Sequence, residues 1–167
     1  LGIVQDDIKR IIAYSTLSQL GLMVAGLGVS AYGMSMFHLI THAFFKALLF
    51  LCAGSVIIQL HHEQNIFKMG NLRNYLPITY ITMVLGSLSL VGFPGFSGFF
   101  SKDLLIECVK YSELPFSLIC YYFVLSSVFF TSFYSFRLIF IVFHSTKFSA
   151  ISTKNFWIKN GIKEVFF

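Results

Sequence analysis

Residues 34–59 read MSMFHLITHAFFKALLFLCAGSVIIQ. The stretch is apolar except for His38, His42 and Lys46. At about 1.5 Å of rise per residue it is long enough to cross a hydrocarbon core about 30 Å thick. It therefore reads as a transmembrane helix with a lysine near its middle. The three polar residues recur at i, i+4 and i+8, which turns them only about 40° per step and sets them along one face over about three turns. An ionisable group at that depth costs at least a few kcal/mol (~3 on insertion scales), so it persists where it has water, a partner or a task.

Working outward, residues 11–29 carry no charge and form a span ahead of this one. Ser30-Ala31-Tyr32-Gly33 supplies the tight reversal between them. Residues 61–74 are polar, contain Gly70 and read as a loop with room for a short interfacial helix. Pro77 suits the first turn of a third span, where its missing N–H costs little. That span meets Gly92-Phe93-Pro94-Gly95-Phe96-Ser97-Gly98, whose glycines and proline are expected to interrupt the helix, with Pro94, Gly95 and Gly98 as break residues. Helical character resumes over residues 99–110, too short to cross alone, and residues 116–143 form a last apolar run with Arg137 near its end.

Charge placement sets the number of crossings. Lys9 and Arg10 precede the first span, Lys68 and Arg73 follow the second, and Lys147, Lys154, Lys159 and Lys163 follow the last. Counting residues 77–110 as one interrupted crossing puts all these basic residues on one side, the cytoplasmic or matrix side by the positive-inside rule. The expected fold class is all-α: a polytopic integral membrane helix bundle of about four spans over residues 1–147, the third broken near 92–98. Residues 148–167 make a basic tail in which Ile158, Ile162 and Val165 oppose Lys159 and Lys163. This pattern fits an interfacial helix or a divergent terminus.

Composition agrees. The chain is 56% hydrophobic with a mean hydropathy of +0.78, and only 11% of it is charged, against about 25% in soluble domains. Its lysines and arginines sit at the ends of apolar runs and form no basic stripe, which argues against nucleic acid and for a lipid bilayer as the surrounding partner. Cys52, Cys108 and Cys120 are isolated in or beside apolar segments and read as small buried hydrophobes, and His61-His62 lacks a third ligand, so no metal site is expected. No phosphate loop, nucleophile–base pair or redox motif is present, so no catalytic centre is expected in the chain itself. The sequence opens on Leu1-Gly2-Ile3 with no initiator Met and no signal peptide, and the expectation is a fragment or the product of a split gene.

The file of His38, His42 and Lys46 admits two readings. Histidine titrates near neutrality and a lysine withdrawn from water can exchange its proton, so the file suits a proton wire. The alternative is a static set in which the histidines bond to neighbouring helices and Lys46 closes an ion pair. Polar neighbours are available in Ser15, Ser18 and Gln19 on the first span and in Lys102 or Asp103 after the break. Lys102-Asp103 reads either as a second site, where an interrupted helix exposes backbone groups at depth, or as an interfacial turn. Lys9 and Arg10 read on physical grounds as a topology anchor, and Arg137 as a side chain that snorkels.

Four strings carry a resemblance: DIKRIIAYSTLSQLG at 7–21, FHLITHAFFKALLFLCAGSVI at 37–57, HHEQNIFKMGNLR at 61–73 and GFFSKDLL at 98–105. The chain resembles the antiporter-like subunit 5 family of NADH:quinone oxidoreductase (complex I), the bacterial subunit L type and its mitochondrial counterpart, from about residue 6 to 144. The run at 37–73 is closer to the bacterial form. The resemblance implies proton translocation through a membrane arm, with His38, His42 and Lys46 on its central hydrophilic axis. It also implies Lys102 with Asp103 at the second broken helix near the proton exit, and Lys9 as a conducting lysine. It places NADH, flavin (FMN), iron–sulfur clusters and quinone in partner subunits, with none in this chain. Implied partners are other membrane-arm subunits, including an adjacent antiporter-like subunit, and a separate chain supplying a missing N-terminal half. The implied location is a bacterial or mitochondrial inner membrane. A multisubunit cation/proton antiporter shares these motifs, and a non-functional structural fragment is the remaining alternative. The motif likeness stops near Lys147.

Overall fold

A helix that crosses lipid has to turn its polar side chains toward protein or water, and this requirement organises the bundle. In the computed structural model residues 2–145 are described; the basic tail at 148–167 lies outside them. The residue 34–59 segment forms α2 (Tyr32–Gln59). Ser35, His38, His42, Phe45, Lys46 and Leu49 are on its buried side, while Phe37, Ile40, Phe44, Leu51 and Ile58 are exposed. The polar residues are inside and the outside is apolar, the reverse of a helix on a soluble protein.

α2 packs on α1 (Ile8–Gly28), α3 (Pro77–Val91) and α4 (Ser97–Lys110), and α5 (Ser117–Ile139) closes the bundle against α1, α3 and α4. The last turn of α5 widens into a π-helix over Phe140–His144. Ile8–Gly28, Tyr32–Gln59 and Ser117–His144 are long and apolar enough to cross a membrane, and Pro77–Val91 is a shorter apolar helix. The chain is thus a polytopic all-α membrane bundle. The polar loop after α2 contains a single 3-10 turn, Ile66–Lys68.

Contacts at one end of the bundle settle the path of the broken segment. The Ile8 amide donates to Gln64 O (3.1 Å) and the Ile66 amide to Asp6 O (2.8 Å), so the start of α1 and the loop after α2 are together. Tyr80, one turn into α3, pairs with His144 at 3.1 Å, which brings the end of α5 to the same place. At the other end Ser101, in the first turns of α4, meets His38 near the start of α2. α3 and α4 therefore make one interrupted crossing. The Arg137 guanidinium donates to the carbonyls of Ile3 and Gln5, lies 3.8 Å from the Asp6 carboxylate and covers the Phe67 ring. It clamps the segment leading into α1.

The break is shorter than the sequence pattern implies. α3 ends at Val91, Gly92 and Gly95 take φ of 87° and 92°, Pro94 is exposed in the turn, and α4 starts at Ser97. Positive φ at Gly92 and Gly95 is the backbone state that glycine adopts without a Cβ clash. Gly98 is not part of the break. It lies inside α4, buried, and a Cβ there would run into the Ser89 carbonyl of α3. Its role is close approach between the two half-helices. Gly98→Ala in the full-length subunit is expected to destabilise it by about 1–3 kcal/mol, the range for forcing extra volume into a packed core. Gly54→Ala, where a Cβ would meet nothing within 4 Å, should stay within about 0.5 kcal/mol. Thermal unfolding of the purified assembly distinguishes the two, and equal midpoints would contradict the close-approach role.

Candidate functional site

The site is a column of basic side chains enclosed by α1, α2 and α4. His38, His42 and Lys46 on α2 are exposed to 0, 8 and 4%, and Lys102 on α4 to 2%. Each is fixed by neighbours that sequence spacing alone does not name.

His38 lies between two helices. Its Nε2 is 3.3 Å from Gln19 Oε1 on α1 and its Nδ1 is 2.9 Å from Ser101 Oγ on α4. An amide oxygen only accepts, so with this amide orientation Nε2 carries the proton and Nδ1 of the neutral ring accepts from the Ser101 hydroxyl. Thr41, three residues on, donates toward the same Ser101 Oγ at 3.2 Å. Protonation of His38 would only require the Ser101 hydroxyl to reverse, from donor to acceptor. The His42 ring follows at 6.1 Å between centroids and packs edge-on against Phe45 at 5.3 Å. Its Nε2 is buried and makes no hydrogen bond within the described residues.

Lys46, one turn further, donates to Ser15 Oγ and to Ile12 O (3.3 Å) on α1. Ser15 in turn donates to Ile12 O at 2.8 Å. Lys102 donates to Leu90 O. That carbonyl is available because α3 stops at Val91, leaving Leu90 among the carbonyls that a helix end cannot bond internally. A cation at a helix C-terminus also meets the negative end of the helix dipole. The break thus has a second effect beyond bending the chain: it creates the acceptor that solvates Lys102.

Among the described residues the ion pairs are Arg10–Asp7, Lys68–Glu63 and Arg137–Asp6, so neither Lys46 nor Lys102 is neutralised by a carboxylate. The lysines and histidines are nevertheless close enough to feel one another's charge. Asp103 is partly buried and set about 100° around α4 from Lys102, next to the charge of Glu107. Lys9 is exposed in the first turn of α1 and does not join the column. Arg10 beside it pairs with Asp7 at 2.9 Å. No group of three or more His, Cys, Asp or Glu among the described residues is arranged to hold a metal ion.

Ser15 and Gln19, expected as polar neighbours, are in direct contact with the column, and Ser18 donates to the Ser15 carbonyl one step behind it. Ser101, Thr41 and the Leu90 carbonyl were not legible as site groups. Ser101 is visible in sequence only as the residue before Lys102, and Leu90 contributes through its backbone, which no side-chain pattern records.

Comparison with known proteins places the chain in a family. The family described as NADH:quinone oxidoreductase/Mrp antiporter, TM, matches residues 1–131. NADH-quinone oxidoreductase subunit L of Neisseria meningitidis is 62% identical over 86% of this chain and 21% of its own length. NADH-ubiquinone oxidoreductase chain 5 of Marchantia polymorpha is 54% identical over 85% of this chain and 21% of its own length. The chain 5 protein of Chondrus crispus is 48% identical over 99% of this chain and 26% of its own length. That last match runs past Lys147, so the likeness continues into the basic tail. The chain spans about a fifth to a quarter of the length of these relatives. The family match over most of the chain, with the identity to these relatives, shows that this chain belongs to the NADH:quinone oxidoreductase/Mrp antiporter transmembrane family, as an antiporter-like integral membrane segment of the subunit L and chain 5 type.

Proposed function

We propose that the chain forms part of a proton-translocating path in the membrane arm of an NADH:quinone oxidoreductase, driven by quinone reduction in other subunits. The observation that carries this reading is the file of His38, His42, Lys46 and Lys102, buried in an apolar bundle, with His38, Lys46 and Lys102 held by an amide, hydroxyls and carbonyls and none of the four paired with a carboxylate among the described residues. A lysine closed in a buried ion pair keeps its proton; one held by neutral acceptors is free to lose it when a neighbouring charge changes. His38 can take up a proton at Nδ1 when the Ser101 hydroxyl turns from donor to acceptor, while Nε2–H stays on the Gln19 amide oxygen. Lys102 at the break and Asp103 beside it form the next station along the file. Lys9, outside the column, belongs to the path only if the rest of the subunit covers it.

The same architecture serves cation/proton antiporters, and the family description covers both. One observation favours the oxidoreductase reading: the named relatives are subunits of NADH:quinone oxidoreductases. Partners on this reading are the other membrane-arm subunits, including an adjacent antiporter-like one, and these would also carry the NADH, flavin, iron–sulfur and quinone chemistry. Co-purification with NADH:quinone reductase subunits supports the reading; recovery with antiporter subunits alone contradicts it.

Lys46→Ala in the full-length subunit, assembled and reconstituted in vesicles, is expected to lower proton pumping about tenfold or more, the scale of a lost proton-transfer group, with complex yield near that of the unaltered enzyme. Normal pumping at normal yield removes Lys46 from the path. Ser101→Ala takes away the proton that Nδ1 of His38 accepts and should slow pumping about two- to tenfold, the worth of one hydrogen bond. Thr16→Ala, which deletes an exposed hydroxyl bonded only to its own helix at Ala13 O, should leave pumping unchanged. Equal effects of the two substitutions would show that the Ser101 contact plays no part.

A further inference from the structure

The Lys46 contact involves a third helix. Tyr134 lies on the side of α5 that packs against α1 and is 7% exposed. Its hydroxyl is buried and within hydrogen-bonding reach of Ser15 and Ser18 on α1. The segment ahead of α1 fixes the ring. Gly2 lies against it, and Arg137, about one turn further along α5, holds that segment by the carbonyls of Ile3 and Gln5.

An inventory of protons decides what this hydroxyl can do. Ser15 gives its proton to Ile12 O at 2.8 Å and Ser18 gives its own to Ser15 O at 2.9 Å. Both serines therefore present lone pairs, and Tyr134 is the remaining donor. Ser15 Oγ also accepts from the Lys46 ammonium. With Lys46 charged, Tyr134 on Ser15 would bring a second positive hydrogen to an oxygen already facing a cation, so Ser18 is the better acceptor. A neutral Lys46 reverses the balance. Its nitrogen then carries a lone pair, and Ser15 can serve it by swinging its proton from Ile12 O to Nζ. Tyr134 donating to Ser15 strengthens that bond, because each link in a chain of hydroxyls polarises the next.

We infer that the Tyr134 hydroxyl has two positions, donating to Ser18 while Lys46 is charged and to Ser15 once Lys46 has lost its proton, which makes Tyr134 a positioning residue for the neutral lysine. The inference deepens the proton-path reading and rests on it. Around Lys46 the other charged or titratable groups are His42 on its own helix and Lys102 on α4. The buried residues of α1 and α3 add none, and Tyr14 of α1 lies at the rim beside Gly2. Tyr134 is thus the contribution of α5 to the charge state of the column.

Two substitutions in the full-length subunit, assembled and reconstituted in vesicles, test it by pulling in opposite directions. Tyr134→Phe keeps the ring and deletes the donor that supports the neutral lysine. Ser18→Ala deletes the alternative acceptor and leaves Tyr134 on Ser15. The pH profile of pumping should move to higher pH in Tyr134→Phe and to lower pH in Ser18→Ala, each by up to about one unit, the worth of one hydrogen bond. A contact that only packs the bundle would change yield or rate and leave the profile in place. Shifts of the same sign, or an unmoved profile in either variant, overturn the inference. Should Tyr134→Phe fail to assemble, an unmoved profile in Ser18→Ala is sufficient to overturn it and a shift to lower pH supports it. If Lys46→Ala pumps normally, the proton-path reading itself fails. If Lys46→Ala stops pumping while both profiles stay in place, the path stands and the two-position hydroxyl falls.

Discussion

A cation inside an apolar bundle has to be solvated by the bundle itself, and the rest of this structure depends on how that is done. Lys102 is the clearest instance. Its ammonium is satisfied by the Leu90 backbone carbonyl, left as a free acceptor where α3 stops at Val91 and Pro94 has no N–H to return. The glycines of the break, the close approach of Gly98 to Ser89 and the crossing of α4 over α2 all serve to keep that carbonyl and that side chain together. The residue four positions after Leu90 is Pro94, which has no N–H to offer, so the Leu90 carbonyl is left for Lys102.

The choice of neutral acceptors has a dynamic consequence. A buried carboxylate beside Lys46 would make a deep electrostatic well and hold the proton in place. Hydroxyls and carbonyls stabilise the ammonium less, and hydroxyls can reverse their donor and acceptor roles. Ser15 at Lys46 and Ser101 at His38 are both of this type. The hydroxyls at Lys46 and His38 can therefore reorient when a nearby charge changes. Arg137, by contrast, is paired with Asp6 and two carbonyls and serves architecture.

Much of this was legible in the sequence, for a physical reason. In a bilayer the cost of a charge is so large that its position in an apolar run already implies a buried, partnered environment, and the spacing of His38, His42 and Lys46 fixes their shared face. The helix break was legible because glycine and proline act locally through the backbone. What escaped was whatever depends on distant packing. Gly98 looked like part of the break because its close approach to Ser89 is a tertiary contact. The partners of Arg137, Ile3, Gln5 and Asp6, were not visible because they are more than 130 residues away along the chain. Ser101 and the Leu90 carbonyl carry no signal apart from their neighbours in space.

The central claim is that the basic column faces a hydrated interior. His42 tests it most directly, because its Nε2 is buried and unpartnered within the described residues while Phe44, two residues on, is exposed. In a density map of the assembled complex, the account predicts an ordered water or a polar atom from the rest of the subunit within about 3.2 Å of His42 Nε2, with lipid chains confined to the Phe44 side. Lipid density or dry apolar side chains surrounding His42 and Lys46 would contradict it.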